Sequence, residues 1–427
     1  MNLSARFIPP GTTDYTRRTL RYDFLSGIAK GVAAVGGAAT AAVIAKKAFG
    51  ANDFLVALLY TAGPLGQVLS PWVARLIRGR RVIPLIFRLE AASMALMAIS
   101  AFMSASWAFV VILSLSYVLL QCLAPAFARV YRHNYRTATR GELFALVRIG
   151  FNASTAVGGF VVGRLLDVHP GAFARVFPAL GVIGLVGSLV FRRIEVHEEF
   201  QSAPENNGRA RSWRIYRTIL ATNKRYLVFL LIWAIFGFAN MMMDPVRAIY
   251  LTDTRYRINA DYLQSLLILL IIPQVMVLLT LRLWGRLVDR YPVSFTRAWL
   301  QLFSGLDLVI YVFAPSLKWL YLASVLKGLQ IAGAQVTWAL GIMEFAPRDQ
   351  VTEYTAIHTL FTGIRGLFAP QVAALCLALV GPKGTFVVGI AAIFTSIALF
   401  ALFPRITASW HVPEGAPPPR AMPYARQ

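Results

Sequence analysis

Eight charged or strongly polar residues inside long apolar runs are the candidate solute contacts: Lys30, Gln121, Asn240, Lys327, Gln330, Gln335, His358 and Arg365. A charge in hydrocarbon is costly, so such a residue faces a cavity, a partner side chain or a solute. The chemistry these groups offer is recognition by charge and hydrogen bonding. Bond-breaking would need His, Asp or Glu clustered at a membrane face. The chain has no H-x-x-x-H, no G-x-S-x-G and no G-x-x-x-x-G-K-[ST], and its five histidines are scattered. It therefore reads as a non-enzyme with no cofactor. Cys122 and Cys376 are the only cysteines, too few for a disulfide framework or a metal site, and read as small buried hydrophobes.

Lys30 lies about eight residues into its run, roughly 12 Å at 1.5 Å per residue. Gly27, Gly31, Ala34 and Ala38 form a small-residue stripe beside it, which permits close approach of another helix. Two readings stay open for Lys30: it lines a cavity, or it snorkels to the nearer surface. Arg365, in "HTLFTGIRGLFAP", lies too deep for easy snorkelling, and Gly363, Gly366 and Pro370 around it suggest a helix that bends. His358, two turns earlier, reads as a structural histidine before a ligand. Lys327 shares its run with Gln330 and Gln335, while Asn240, Gln121, Gln274 and Asn152 add neutral polar groups elsewhere. Taken singly, each neutral group reads as helix-to-helix glue before a solute contact.

Among the acids, Asp244 and Arg247 sit one turn apart and read as a mutual pair. Asp307 is deeper, and Glu90 lies beside Arg88 near the end of its own run; none is a clear proton carrier. Lys30, Lys327 and Arg365 thus find no acid of matching depth, which favours an anionic or zwitterionic solute. The alternatives are snorkelling of Lys30 and Lys327, and a contact between Asp307 and Arg365.

The elements that must hold these groups follow from bulk properties. Of the 427 residues 57% are hydrophobic and only 14% charged, where a soluble protein keeps roughly a quarter charged. Most of the chain therefore avoids water. The net charge of +23 sits in short loops between apolar runs, a topology code and not a nucleic-acid face. A crossing needs about 20 apolar residues, and lipid leaves helices as the way to satisfy the backbone. Twelve spans are predicted, over 22–46, 54–77, 82–103, 107–128, 142–166, 173–192, 226–250, 262–283, 294–314, 318–343, 353–378 and 384–404. The stretch before Tyr22 is polar, so no cleaved signal peptide is expected and the first span directs insertion. With the N-terminus inside, 28 of the 42 lysines and arginines fall on the cytoplasmic side and 8 on the other. Both termini are therefore expected to be cytoplasmic, in a plasma (inner) membrane.

Two charged turns echo each other. "WGRLVDRY" at 284–291 sits between two apolar runs, and a shift of 211 residues lays Ala74-Arg75-Leu76-Ile77 on Gly285-Arg286-Leu287-Val288. The same shift places Glu142 on Glu353 and Ala145 on Ala356. One shift matching two places points to a duplication of six spans, the mark of transporters whose halves rock about a central site. The expected layout is an N-terminal segment 1–16, a six-helix bundle 17–193, a cytoplasmic linker 194–225, a second bundle 226–405 and a Pro-rich disordered tail 406–427.

At these turns the chain resembles the major facilitator superfamily, which carries a Gly-x-x-x-Asp-Arg-x-Gly-Arg-Arg-like motif between spans two and three and a weaker copy between spans eight and nine. Gly285, Asp289 and Arg290 match the second copy, with Pro292 in place of its second glycine. The first copy keeps Gly79, Arg80 and Arg81 but has Leu76 at the acid position, and "TRG" at 139–141 is similar to the family's "ERG". The resemblance covers about residues 17–405. It implies an all-α polytopic membrane protein, twelve helices in two six-helix pseudo-symmetric bundles. Spans one, four, seven and ten would line the cavity, flanked by two, five, eight and eleven. Asp289 would latch a moving interface by capping a helix N-terminus and pairing with arginine, so these six motif residues govern gating and not solute choice.

The resulting expectation is a monomeric secondary transporter in the lipid bilayer, moving a small organic solute by alternating access. A coupling ion, proton or sodium, is unassigned, and no nucleic acid is expected. A transporter-like sensor or assembly protein that moves nothing is the first alternative; a polytopic membrane enzyme is the weaker one.

Overall fold

The computed structural model describes residues 13–77, 80–136, 139–196, 213–256, 258–347 and 350–410, with positions 213, 214, 289, 339 and 340 described in backbone alone. No strand occurs among them. In the N-terminal part α1 (Asp14–Ala33) and α2 (Ala38–Lys47) form one run, interrupted where Gly37 is extended. They are followed by α3 (Asp53–Leu76), α4 (Val82–Ser100), α5 (Ser106–Gln121), α6 (Ala124–Asn134), α7 (Arg140–Val168) and α8 (Phe173–Phe191). A short helix, α9 (Trp213–Thr222), leads into α10 (Lys224–Thr252). Next come α11 (Tyr262–Leu266), α12 (Ile272–Arg290), α13 (Val293–Phe313), α14 (Leu317–Met343) and α15 (Val351–Ile406).

Local chemistry sets these boundaries. Thr13 and Asn52 cap α1 and α3, each accepting a backbone N–H from the first turn. Asp261 and Gln264 close a reciprocal capping box on α11. The long run α15 is broken at Gly381, whose φ of 68° only glycine adopts without strain; Pro382 follows, and the break falls between the two spans expected at 353–378 and 384–404. Between α11 and α12 the turns widen to a π-helix over Leu267–Ile271, and the Ser324 hydroxyl on α14 donates to the Ile268 carbonyl at 2.9 Å.

Nine helical segments are long and apolar enough to cross a membrane among the described residues. Their outward faces carry large hydrophobic side chains: Val157, Val182, Leu279 and Leu379 are each at least 60% exposed. Water would not tolerate so continuous a belt, whereas lipid does. This is a multi-pass integral membrane protein.

Helices α1 to α8 pack on one another, and α10 to α15 do the same; α15 lies along α3, and α11 and α12 along α7, where the groups meet. The small-residue stripe of α1 faces α7. A Cβ on Gly31 would fall 2.3 Å from the Phe151 carbonyl oxygen, so a larger residue would push the helices apart. Across the boundary, Gly363 and Gly366 on α15 make room for Val68 and Pro64 on α3.

Candidate functional site

Two cavities meet at the boundary between the groups. One, of about 710 Å³, is enclosed largely by α1, α4, α5 and α7; the other, of about 950 Å³, lies mainly among α7, α10, α12 and α14. They share Tyr60, Phe144 and Arg148, so they are two lobes of one space. The larger lobe reaches Gly141, an exposed residue in the first turn of α7.

In the N-terminal lobe the Lys30 ammonium lies 2.6 Å from the Glu90 carboxylate and over the Phe191 ring, 4.2 Å from its centroid. The expectation that Lys30 has no acid at its depth is thereby corrected. Glu90 faces inward from α4 to meet it, and not toward Arg88, which is exposed. Asp23 is also buried here; its two oxygens accept hydrogen bonds from Tyr135 at 2.8 Å and Tyr131 at 3.5 Å. Gln121 lines the same lobe.

In the C-terminal lobe Arg247 pairs with Asp244 at 3.1 Å and with Asp307, and Lys327 pairs with Asp244 at 3.2 Å while donating to Asn240 at 2.8 Å. Two expectations are corrected. Lys327 has an acid partner, and Asp307 pairs not with Arg365 but with Arg247, in a four-charge network on the cavity wall. Gln330, Gln335 and Asn152 line the lobe as well.

Two of the sequence candidates lie elsewhere. Arg365 and His358 line neither lobe. Arg365 donates to the Trp233 carbonyl at 3.1 Å and to the Thr362 hydroxyl at 3.2 Å, in a gap that Gly237 leaves for it. His358 is buried edge-on against Trp338. The peripheral helices α4 and α13 supply charges to the lobes, whereas the eleventh span supplies no lining residue.

Arg148 is the residue that sequence reading missed. It is exposed within the cavity, flanked by the rings of Phe144 and Phe151 at 5.1 and 5.5 Å, and no carboxylate pairs with it among the described residues. Phe144, Arg148 and Phe151 follow i, i+4, i+7 spacing, the signal that places them on one face of α7.

One end of the space is closed by ion pairs between the two groups of helices. Lys46 on α2 contacts Asp53 at 2.5 Å and Asp253, after α10, at 2.8 Å; Arg255 contacts both acids, at 3.0 and 2.6 Å. Asp167 at the end of α7 accepts the first N–H groups of α11, from Tyr262 at 2.8 Å and Leu263 at 3.3 Å. Burial alone would raise the Asp253 carboxyl, but hydrogen bonds from Arg255 and Lys46 outweigh it and hold the group well below the ordinary carboxylate range. The opposite end of the space is the one at which α1 begins.

That opposite end carries the charged turns. Arg80, Arg81 and Arg290 are exposed, and nothing lies near a Cβ placed on Gly285. Gly79 and the Asp289 side chain fall outside the described residues. Glu344 caps the start of α13, its carboxylate accepting the Val293 N–H at 2.9 Å. In the first copy Arg129 on α6 donates to the Ile77 carbonyl at 2.6 Å, closing the end of α3.

The profile of the Major Facilitator Superfamily matches residues 24–297. The chain belongs to the major facilitator superfamily. No curated protein is detectably similar to it in sequence. Solved transporters share its fold. A mutant of the nucleoside transporter NupG superposes with TM-score 0.70 at 10% identity, covering 91% of this chain and 100% of its own. A POT family transporter in complex with a thioalcohol-conjugated peptide gives 0.69 at 12% identity, covering 91% and 97%. A bacterial homologue of the human lysosomal transporter Spinster gives 0.66 at 11%, covering 94% and 100%. At such identities the likeness concerns the fold alone.

Proposed function

We propose that this superfamily member is a secondary transporter that moves a small anionic or zwitterionic organic solute by alternating access. The observation that carries the reading is a cavity walled by both groups of helices, in which Arg148 is exposed and, among the described residues, forms no ion pair with a carboxylate. An unpaired cation in a low-dielectric space gains most from an anionic solute. Lys30 and Lys327 no longer support that reading directly, since Glu90 and Asp244 neutralise them. The motif turns, the expected twelve passes and the basic loops support a plasma-membrane protein with both termini on the cytoplasmic side.

The closed end with Lys46 and Asp253 then faces outward, and the cavity mouth near Gly141 faces the cytoplasm. The Spinster homologue was captured inward-facing and unoccupied, and the same state fits a space closed by ion pairs at the Lys46 end and reaching exposed Gly141. Asp289 remains the proposed cytoplasmic latch, forming its contacts when the inner side closes. Counterflow in proteoliposomes, scanned with labelled anionic, zwitterionic, neutral and cationic solutes, tests the proposal. Saturable counterflow of an anion or zwitterion, lost in Arg148→Gln, is the expected result. Binding without counterflow of any solute would favour the sensor reading.

A further inference from the structure

The two lobes differ in what they offer a solute. The N-terminal lobe contains three charged groups besides Arg148, and each is engaged. Lys30 is held by Glu90 and by two rings. Asp23 has both oxygens covered by tyrosine hydroxyls. The rest of the wall includes Met94, Met97, Tyr117, Leu120, Phe127 and Phe151. Such a surface has few directed hydrogen bonds for a sugar or a peptide backbone and recognises apolar area instead. Aromatic faces and thioethers favour a flat, polarisable body. At the junction with the polar lobe stands Arg148, oriented by its stacking on Phe144 and Phe151 and free to bind an anionic group.

We propose that the solute is an organic anion with a flat apolar body, its carboxylate on Arg148 and its ring in the N-terminal lobe. The proposal rests on the transport reading for its biological meaning, though the binding chemistry stands by itself. A cationic amine would find Glu90 already bound to Lys30 and Asp23 only 3% exposed beneath the hydroxyls of Tyr131 and Tyr135, whereas Arg148 stands exposed. A small hydrophilic anion would meet Arg148 but leave the lobe wall uncovered.

The test is calorimetric binding to the full-length protein in nanodiscs, with benzoate and 2-naphthoate as probes, acetate as the anion without a body and benzyl alcohol as the body without charge. Benzoate or 2-naphthoate should bind at least about tenfold tighter than acetate, the order expected for burying one ring. Arg148→Gln should weaken the aromatic anion at least about tenfold, the order of one lost charge-assisted contact, and leave benzyl alcohol unchanged. Arg148→Lys should restore part of the affinity while the melting temperature of both variants stays at the wild-type value. Should Arg148→Gln fail to fold, Arg148→Lys and the probe series decide the matter. Equal binding of acetate and benzoate would overturn the apolar body, and benzyl alcohol matching benzoate would overturn the anion. Absence of binding by both aromatic anions would overturn the whole inference. Counterflow separates the two levels: aromatic-anion binding without counterflow removes the transport reading and leaves the site. Counterflow of a small zwitterion such as alanine with no aromatic-anion binding does the reverse.

Discussion

If the ion cluster at Lys46 holds the outer side shut, removing its central charge should open that side measurably. Lys46 contacts two carboxylates and its side chain is only 6% exposed, whereas Arg255, the second cation, is 58% exposed. Deleting one partner of a buried pair costs about 3–5 kcal/mol, and an exposed pair is worth about 0.2–1 kcal/mol. Lys46→Gln leaves Asp53 and Asp253 still bonded to Arg255, so the loss falls between these limits, at about 2 kcal/mol. If that loss applies to the closed state alone, the outward-open population rises about thirtyfold. The reporter is Ala39→Cys, on the cavity wall, in a chain whose Cys122 and Cys376 are replaced by serine. A membrane-impermeant maleimide applied from the outer side should label it about ten to thirty times faster when Lys46→Gln is added. Lys318→Gln, at an exposed lysine of the same side that makes no ion pair among the described residues, is the control and should change nothing. A rise below about twofold, with the protein still folded, would refute the latch and with it the assignment of the closed side.

The same reporter tests pH. The Asp253 carboxyl is held below its ordinary value, so its contribution to closure is complete above about pH 4 and is lost only as pH falls through the depressed value. Because only the thiolate reacts, each rate is divided by that of the same cysteine in the denatured chain at the same pH; this ratio should stay flat from neutral pH to about pH 4.5, and a rise centred on an ordinary aspartate value would contradict the bonded geometry. Gly237→Ala puts a Cβ 2.3 Å from the Arg365 guanidinium carbon. It should destabilise the protein by about 1–3 kcal/mol, read as a lower melting temperature in detergent with solute affinity unchanged; loss of affinity at an unchanged melting temperature would return Arg365 to the solute site. Asp289→Asn should slow counterflow and leave solute binding intact, and a selective loss of affinity would place that acid at the solute. For topology, Lys383→Cys should label from outside only and Gly208→Cys from inside only; the opposite pattern would invert the cavity mouth and the latch.

Fold class was legible in the sequence because hydropathy is a property of a short window. Twenty apolar residues must lie in lipid whatever their neighbours do, and the break at Gly381 shows as a Gly-Pro pair between two such windows. The family was legible too, since Gly285, Asp289 and Arg290 fit its motif in a charged turn, and Arg75-Leu76 recurs there as Arg286-Leu287 at a shift of 211 residues. Partnership between helices was not legible, because it depends on the rotation and depth of each helix, about 100° and 1.5 Å per residue. Lys30 meets Glu90 and Arg247 meets Asp307 across helices 60 residues apart in sequence. Arg365, central in its own window, proves to be clamped to the backbone of α10 by way of Gly237, while Arg148 faces the cavity although no single window distinguishes it. Lys46 and Arg255 counted in the sequence only as charges on the outer side. That they hold two acids from different halves is decided by the packing, which brings the ends of α2 and α10 together.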